Sequence, residues 1–503
     1  MAESSGFAHA QCGLRRYSSL RFCFNEYDLQ ITDRNQVLLV SHVRRLGPAG
    51  APPPGPVLLI PEFCYLTGLT DKMRTTFNIM KDLSTHTRLT PEQWENRLNR
   101  FINNMSRNAS VQTTLSTWGL SFENELLNLT GRVLPAERIL QGARAYEYNP
   151  CDADWSKETR GLPLMTSMPL EIWLLSHTRH NADVAHSLLQ TLNKVPVGIH
   201  LQRMEYDDRQ EALLRALQQR AVQQVQMVVV ILLANRKDKY DCVKKYLCAD
   251  CPTPSQCVVA RTLSRPQTLM TIATKISLQV NCKMEGELWI EAPDDVGIDC
   301  YHDSAAGKRS IGALVASLNP GMSRMKYSHC SLTERGRKTA LKAYFKYNEC
   351  LPSRIVVYRD GVGDGVLLSV VDYEVPQFTQ SIKAMAISVS VYRPKLTVLV
   401  VKKRISSRFF ALLNARLSDP PPGTVIDAKV TYDFFIVSHK VCFSSVAPAH
   451  YNVVYDSSVL KPDHKQRLTY KLCHMYYNWQ VKATHTHTCS YKPAFYTTPD
   501  HAD

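Results

Sequence analysis

The chain has 503 residues, too many for a single ordinary core and enough for two or three domains. Hydrophobic residues make up 44% and charged residues 21%, which excludes a disordered chain. A net charge of +15 points to a polyanionic partner, nucleic acid first, while the longest apolar run, Met227–Ala234, is far short of a membrane span.

Met1–Leu14 has neither a basic start nor an apolar core, so no export signal is expected, and the Asn-x-Ser/Thr triplets at Asn104, Asn108 and Asn128 are read as chance. The 15 cysteines are irregularly spaced and are read as reduced thiols of cytosol or nucleus. Tyr27–Val40 alternates in the manner of short strands, and the Gly/Pro-rich stretch 47–55 is the clearest break. Met73, Phe77, Met80 and Leu83 recur at helical spacing, and Thr90-Pro91-Glu92 reads as an N-cap followed by proline at the first helical position.

From about residue 195 strands and helices alternate. Asp207–Gln226 is an amphipathic helix, Met227–Ala234 a strand buried on both faces, and Lys239–Tyr246 a basic helix. A strand at Cys257–Ala260 and a helix carrying Leu269, Ile272, Ala273 and Ile276 complete an open α/β unit. A second α/β unit begins near residue 295, with strands at Val296–Cys300, Arg354–Tyr358, Leu396–Val401, Val425–Val430, Phe434–Val437 and Tyr451–Tyr455, then a helix from His464 to Trp479. Cys248-x-x-Cys251, with Cys242 and Cys257 nearby, lacks a fourth ligand at suitable spacing and is read as thiols rather than zinc ligands. The Gly361–Gly365 segment is read as a turn, because it lacks the full glycine spacing of a dinucleotide loop.

Asp299 and Asp360 each end an apolar strand. Two carboxylates from neighbouring strands can hold Mg²⁺ for phosphodiester hydrolysis. On spacing alone the pair reads first as salt-bridged or exposed strand-end aspartates, with Arg359 as an obvious partner.

The segments VGIDCYHD (296–303), IVVYRDGVGDG (355–365), LIPEFCYLTGLTDKMR (59–74), DWSKETRGLPL (154–164), NRKDKYDCVKKYLCADCPTPSQCVVARTL (235–263) and LKPDHKQRLTYKLCHMYYNW (460–479) resemble the Piwi branch of the Argonaute proteins. The resemblance implies a Rossmann-like Mid domain over 191–290 and an RNase H-like Piwi domain over 291–503. A partial PAZ-like remnant (1–70) and a mainly helical linker region (71–190) would precede them. It also implies a germ-line protein that carries a small guide RNA (piRNA) against complementary transposon transcripts. Tudor-domain partners, a monomeric state, and a cytoplasmic location in germ granules, or a nuclear one, belong to the same expectation. The family's pocket for the guide 5′ phosphate maps onto Tyr240, Lys244, Gln256, Gln279 and Lys283. Tyr240 with Lys244, and Gln279 with Lys283, stand four residues apart and so share helix faces.

The nuclease pattern departs from the family. Asp299 and Asp360 match its two aspartates, with Mg²⁺ as the implied cofactor, but Lys338 stands where the family has glutamate and Glu334 matches another acidic position. A helix-sized block is missing before Tyr347–Cys350, and the family's Ala-His pair falls in a gap near Cys489 and Tyr491, leaving His485 and His487 as the available histidines. The expectation is an intact 5′ pocket and a compromised nuclease. Two rivals stand beside it: an active Mg²⁺-dependent guided endoribonuclease, and a poorly folded, non-functional isoform.

Overall fold

A computed structural model describes residues 32–475, apart from 42–56, 193–199, 290–295, 302–310, 320–324, 386–391, 428–432 and some stretches of four residues or fewer. The GPAGAPPPG break and the C-terminal histidines His485 and His487 lie outside the described residues. The chain forms two compact units, Met1–Thr87 and Arg88–Asp503.

In the first unit, strands β1 (Leu39–Ser41) and β2 (Val57–Leu59) pair antiparallel, and helix α1 (Phe77–Thr87) follows. Glu62 accepts from the Thr32 and Asp33 backbone, and hydrogen bonds from the Thr32 side chain first, then from its backbone, hold the carboxyl below the usual range.

The second unit opens with helix α2 (Pro91–Ser106), whose Thr90 cap and Gln93 exchange hydrogen bonds in a capping box with Pro91 at the first position. Helix α3 (Ala109–Thr117) is capped by Asn108. Strand β3 (Arg132–Val133) and the hairpin β4 (Ile139–Gln141) and β5 (Arg144–Tyr146) follow.

A four-stranded parallel sheet comes next: β6 (Ile172–Thr178), β7 (His200–Tyr206), β8 (Met227–Leu232) and β9 (Ser255–Val259), in the order β7-β6-β8-β9. Every residue of β8 is buried, as a strand covered on both faces requires. Helices α4 (Ala182–Leu192) and α7 (Pro266–Lys283) cover one face, and α5 (Gln210–Arg220) and α6 (Lys237–Lys245) the other. The first strand of this sheet, β6, falls inside the stretch 71–190 that the sequence reading assigned to the linker.

The remaining chain builds a nine-stranded mixed sheet. Its strands are β10 (Val296–Tyr301), β11 (Ile311–Ser317), β12 (Met325–His329), β13 (Arg354–Asp360), β14 (Lys395–Lys402), β17 (Thr424–Asp427), β18 (Asp433–Val437) and β19 (Ala449–Asp456), with β3 as the ninth. The numbers β15 and β16 belong to a separate hairpin, Ala411–Leu413 with Arg416–Ser418. Helices α8 (Glu334–Asn348) and α9 (Val375–Met385) flank the sheet, and α10 (Pro462–Leu472) packs on it through Tyr470. At Gly423, φ is +91° and a Cβ would lie 2.8 Å from the Tyr470 hydroxyl, so only glycine fits the approach to β17.

The linker and the nine-stranded sheet are joined far along the chain. Arg132 and Val133 pair with Val425 and Thr424, and buried Glu137 accepts from Arg467 at 2.6 and 3.1 Å. His474, fully buried, accepts a 2.7 Å hydrogen bond from the Tyr148 hydroxyl through Nε2, while its Nδ1 faces the Tyr470 and Lys471 carbonyls. Trp155 stacks on the same imidazole and Trp289 donates to the His474 carbonyl at 2.9 Å.

Candidate functional site

The parallel sheet sets out a cationic pocket at one edge. Helix α6 is fixed at its start by Lys239, whose buried ammonium donates to the Asp208 carboxylate at 2.5 Å and its carbonyl at 2.9 Å. One residue and five residues further on, α6 presents Tyr240 and Lys244, with the ammonium 5.9 Å from the ring centroid. Lys244 donates to the Ser255 carbonyl at 2.8 Å and its hydroxyl at 2.7 Å. Lys283, at the end of α7, donates to the same Ser255 carbonyl at 2.6 Å and to the Gln256 side chain at 2.5 Å.

The two helices thus bring their cations to one oxygen on β9. Gln279 lies one turn before Lys283, at the spacing that shares its face. Asn281, between them in sequence, is buried and ties α7 to the preceding segment: it accepts from the Met168 N–H at 2.8 Å and donates to the Thr166 carbonyl at 3.0 Å. Leu278 and Cys282 turn the other way, into the cluster of Trp155 and Trp289. Burial pushes the Cys257 thiol up against the pull of Lys244 and Lys283, so its sulfur sits within the field of both cations. No disulfide joins the described cysteines.

Two ammonium groups on one carbonyl oxygen form a poor arrangement by themselves, since each hydrogen bond brings the like charges closer. An anion placed between them reverses the sign of that interaction. A terminal phosphate, with three oxygens and close to two charges, has the chemistry such a pair of donors can hold.

The second region is the end of the nine-stranded sheet. Strands β10 and β13 run parallel with Ile298 opposite Arg359, so Asp299 and Asp360 come next at the same ends of neighbouring strands. The Asp299 side chain lies outside the described residues, as do those of Glu334 and Lys338 in the first turns of α8. Asp360 is 7% exposed, and Lys403 is its ion-pair partner. Arg359, the partner expected from sequence, turns instead to Glu374 at 2.9–3.2 Å. The reason is the pleat: consecutive strand residues face opposite sides, and the Arg359 guanidinium donates to the Asp360 backbone carbonyl. Lys402 pairs with Asp364 on the far side of the same strand end.

Comparison with known proteins identifies the family of the chain. A Piwi domain model matches residues 227–493, and a PAZ domain model matches residues 11–90. The chain belongs to the Piwi branch of the Argonaute family. It is 68% identical to Piwi-like protein 1 of Danio rerio over 91% of this chain and 56% of that protein. It is 54% identical to Piwi-like protein 1 of Gallus gallus over 94% of this chain and 57% of that one. The chain therefore spans about half the length of the curated relatives it matches. Among solved structures, Drosophila Piwi superposes with a TM-score of 0.73 at 28% identity, covering 93% of this chain and 64% of that one. Kluyveromyces polysporus Argonaute, solved with a guide RNA, shares the fold, with a TM-score of 0.68 at 16% identity over 93% of this chain and 58% of that one.

The α/β architecture read from the sequence is therefore that of the Argonaute fold, with PAZ and Piwi domains. The Piwi domain is RNase H-like, a fold that commonly works with divalent metal ions. Among the described residues, no group of three or more histidine, cysteine, aspartate or glutamate side chains is arranged to hold one. Sequence reasoning missed Ser255, Asn281 and Lys403. Lys403 carried one signal: it follows an apolar strand in the tandem Lys402-Lys403, which strand alternation sends to the two faces of the sheet.

Proposed function

We propose that the chain is a Piwi-type silencing protein that takes a small guide RNA (piRNA) by its 5′ phosphate and acts on complementary transposon transcripts in the germ line. The observation that carries this reading is the shared grip of Lys244 and Lys283 on one carbonyl oxygen, beside Gln256 and the Tyr240 ring. Tyr240 would stack on the first base while the ammonium groups neutralise phosphate. Base pairing would then supply sequence specificity, and contacts to the backbone affinity, consistent with the surplus of basic residues.

The nuclease centre is read as compromised. Asp360 is paired with Lys403, and Lys338 stands at the position where the family has glutamate. Repression would then work by recruiting partner proteins, with Tudor domains among them, to a monomeric complex in cytoplasmic germ granules or in the nucleus. The rival reading, a Mg²⁺-dependent guided endoribonuclease, has Asp299 and Asp360 at adjacent strand ends in its favour.

The test compares 5′-phosphorylated and 5′-hydroxyl RNA of one sequence. The phosphorylated form should bind more tightly, and Lys244→Ala with Lys283→Ala should abolish the difference; equal affinity of the wild-type protein for both RNAs rules the pocket out. Incubating the guide-loaded protein with labelled complementary RNA and Mg²⁺ decides the rival, since cleavage at one fixed position, lost in Asp360→Ala, would establish the enzyme.

A further inference from the structure

Asp360 is buried, carries a full charge when ionised, and cannot be left without a partner at that depth. The metal-dependent fold would lead one to expect donors gathered around it for a divalent ion. The chain supplies a cation of its own instead. Lys403, one residue past the end of β14, reaches the Asp360 Oδ2 on the neighbouring strand β13, and its side chain keeps 24% of its surface exposed. The neighbouring charges are already matched in the same way: Arg359 with Glu374, and Lys402 with Asp364. Three acids are therefore answered by three bases around one strand end. The described residues do not fit a divalent cation as they stand, because the one placed carboxylate that would bind it is taken.

We propose that Lys403 is a tethered counter-ion for Asp360, holding the position beside the carboxylate that a divalent cation needs, so that metal binding at this strand end requires its displacement. The ammonium has a route out, because its side chain reaches solvent. Ion and ammonium exclude one another, since both seek the same oxygen and repel at short range. Lys403 thus sets how readily the site accepts metal. The inference is independent of the guide pocket: a protein that failed to distinguish 5′-phosphorylated RNA would still show the competition.

The experiment is a Mn²⁺ titration of the full chain without RNA, read by electron paramagnetic resonance. Lys403→Met should bind Mn²⁺ about tenfold more tightly than wild type, the scale of about 1.4 kcal/mol. Adding Asp360→Asn to that variant should remove the gain, and Lys403→Arg, which keeps the charge, should behave as wild type. Equal affinity in wild type and Lys403→Met overturns the proposal, and so does a gain that survives Asp360→Asn. If Lys403→Met does not fold in plain buffer, it should fold with Mn²⁺ present, because the ion then supplies the missing charge; failure there too would count against the proposal.

Discussion

Replacing Lys283 by methionine separates what the pocket does for RNA from what it does for the fold. The Lys244 and Lys283 ammonium groups lie 2.8 and 2.6 Å from one oxygen, so they are at most about 5.4 Å apart. Their repulsion at that distance is about 0.8 kcal/mol in water and about 3 kcal/mol at an effective dielectric constant of about 20. Lys283 is exposed, which puts the cost toward the lower figure. A bound phosphate turns the same groups into charge-assisted donors, each contributing about 1.5–3 kcal/mol. Lys283→Met should therefore weaken binding of 5′-phosphorylated RNA roughly 10- to 150-fold and change binding of the 5′-hydroxyl form little. Without RNA, the variant should melt slightly lower than wild type, because the relieved repulsion offsets only part of the lost hydrogen bonds to Ser255 and Gln256. Fluorescence anisotropy with the two RNAs at one salt concentration, and thermal melting without RNA, read the two halves. An equal loss for both RNAs would refute the reasoning, since Lys283 would then be serving the fold or a distant stretch of backbone.

Two further predictions concern the framework. Burial alone would raise the Asp456 carboxyl, but Lys465, Ser458 and Thr397 outweigh it and hold the group at about 2. A folded value below the unfolded one contributes stability that is present above about pH 4 and lost as pH falls toward 2; Asp456→Asn should cost about 2 kcal/mol at neutral pH, with the difference from wild type closing across that window in urea unfolding. Trp289→Ala removes a fully buried indole that anchors His474 and should cost about 3–5 kcal/mol in the same assay; a loss under about 1 kcal/mol would mean that the cluster collapses around the gap.

What the sequence disclosed, and what it hid, follows the range of the interactions. Thr90, Pro91 and Glu92 formed a legible helix start because a cap and its first turn are adjacent in sequence, whereas the reciprocal bond from Gln93 appears only in the structure. The apolar run at Met227 was legible because a strand buried on both faces needs no alternation. The two pocket pairs were readable to the extent that i, i+4 spacing fixes a helix face, but their meeting at Ser255 depends on how α6, α7 and β9 pack, which no spacing encodes. Strand β6 escaped notice because Ser176, His177 and Thr178 break its apolar run, although all three are buried in the sheet. The partner of Asp360 was misassigned for a different reason: sequence adjacency favoured Arg359, while the pleat sends Arg359 to the opposite face.

The pairing of β3 with β17 has a consequence for biosynthesis. Arg132 leaves the ribosome long before Val425 exists, and Glu137 precedes its partner Arg467 by 330 residues. At translation speeds of about 5–20 residues per second, that is roughly 15–65 s during which the segment has no docking surface of its own. In a nascent chain that edge can form only after β17 has emerged. Recombinant fragments that begin after residue 132 would be made without a strand that closes the sheet.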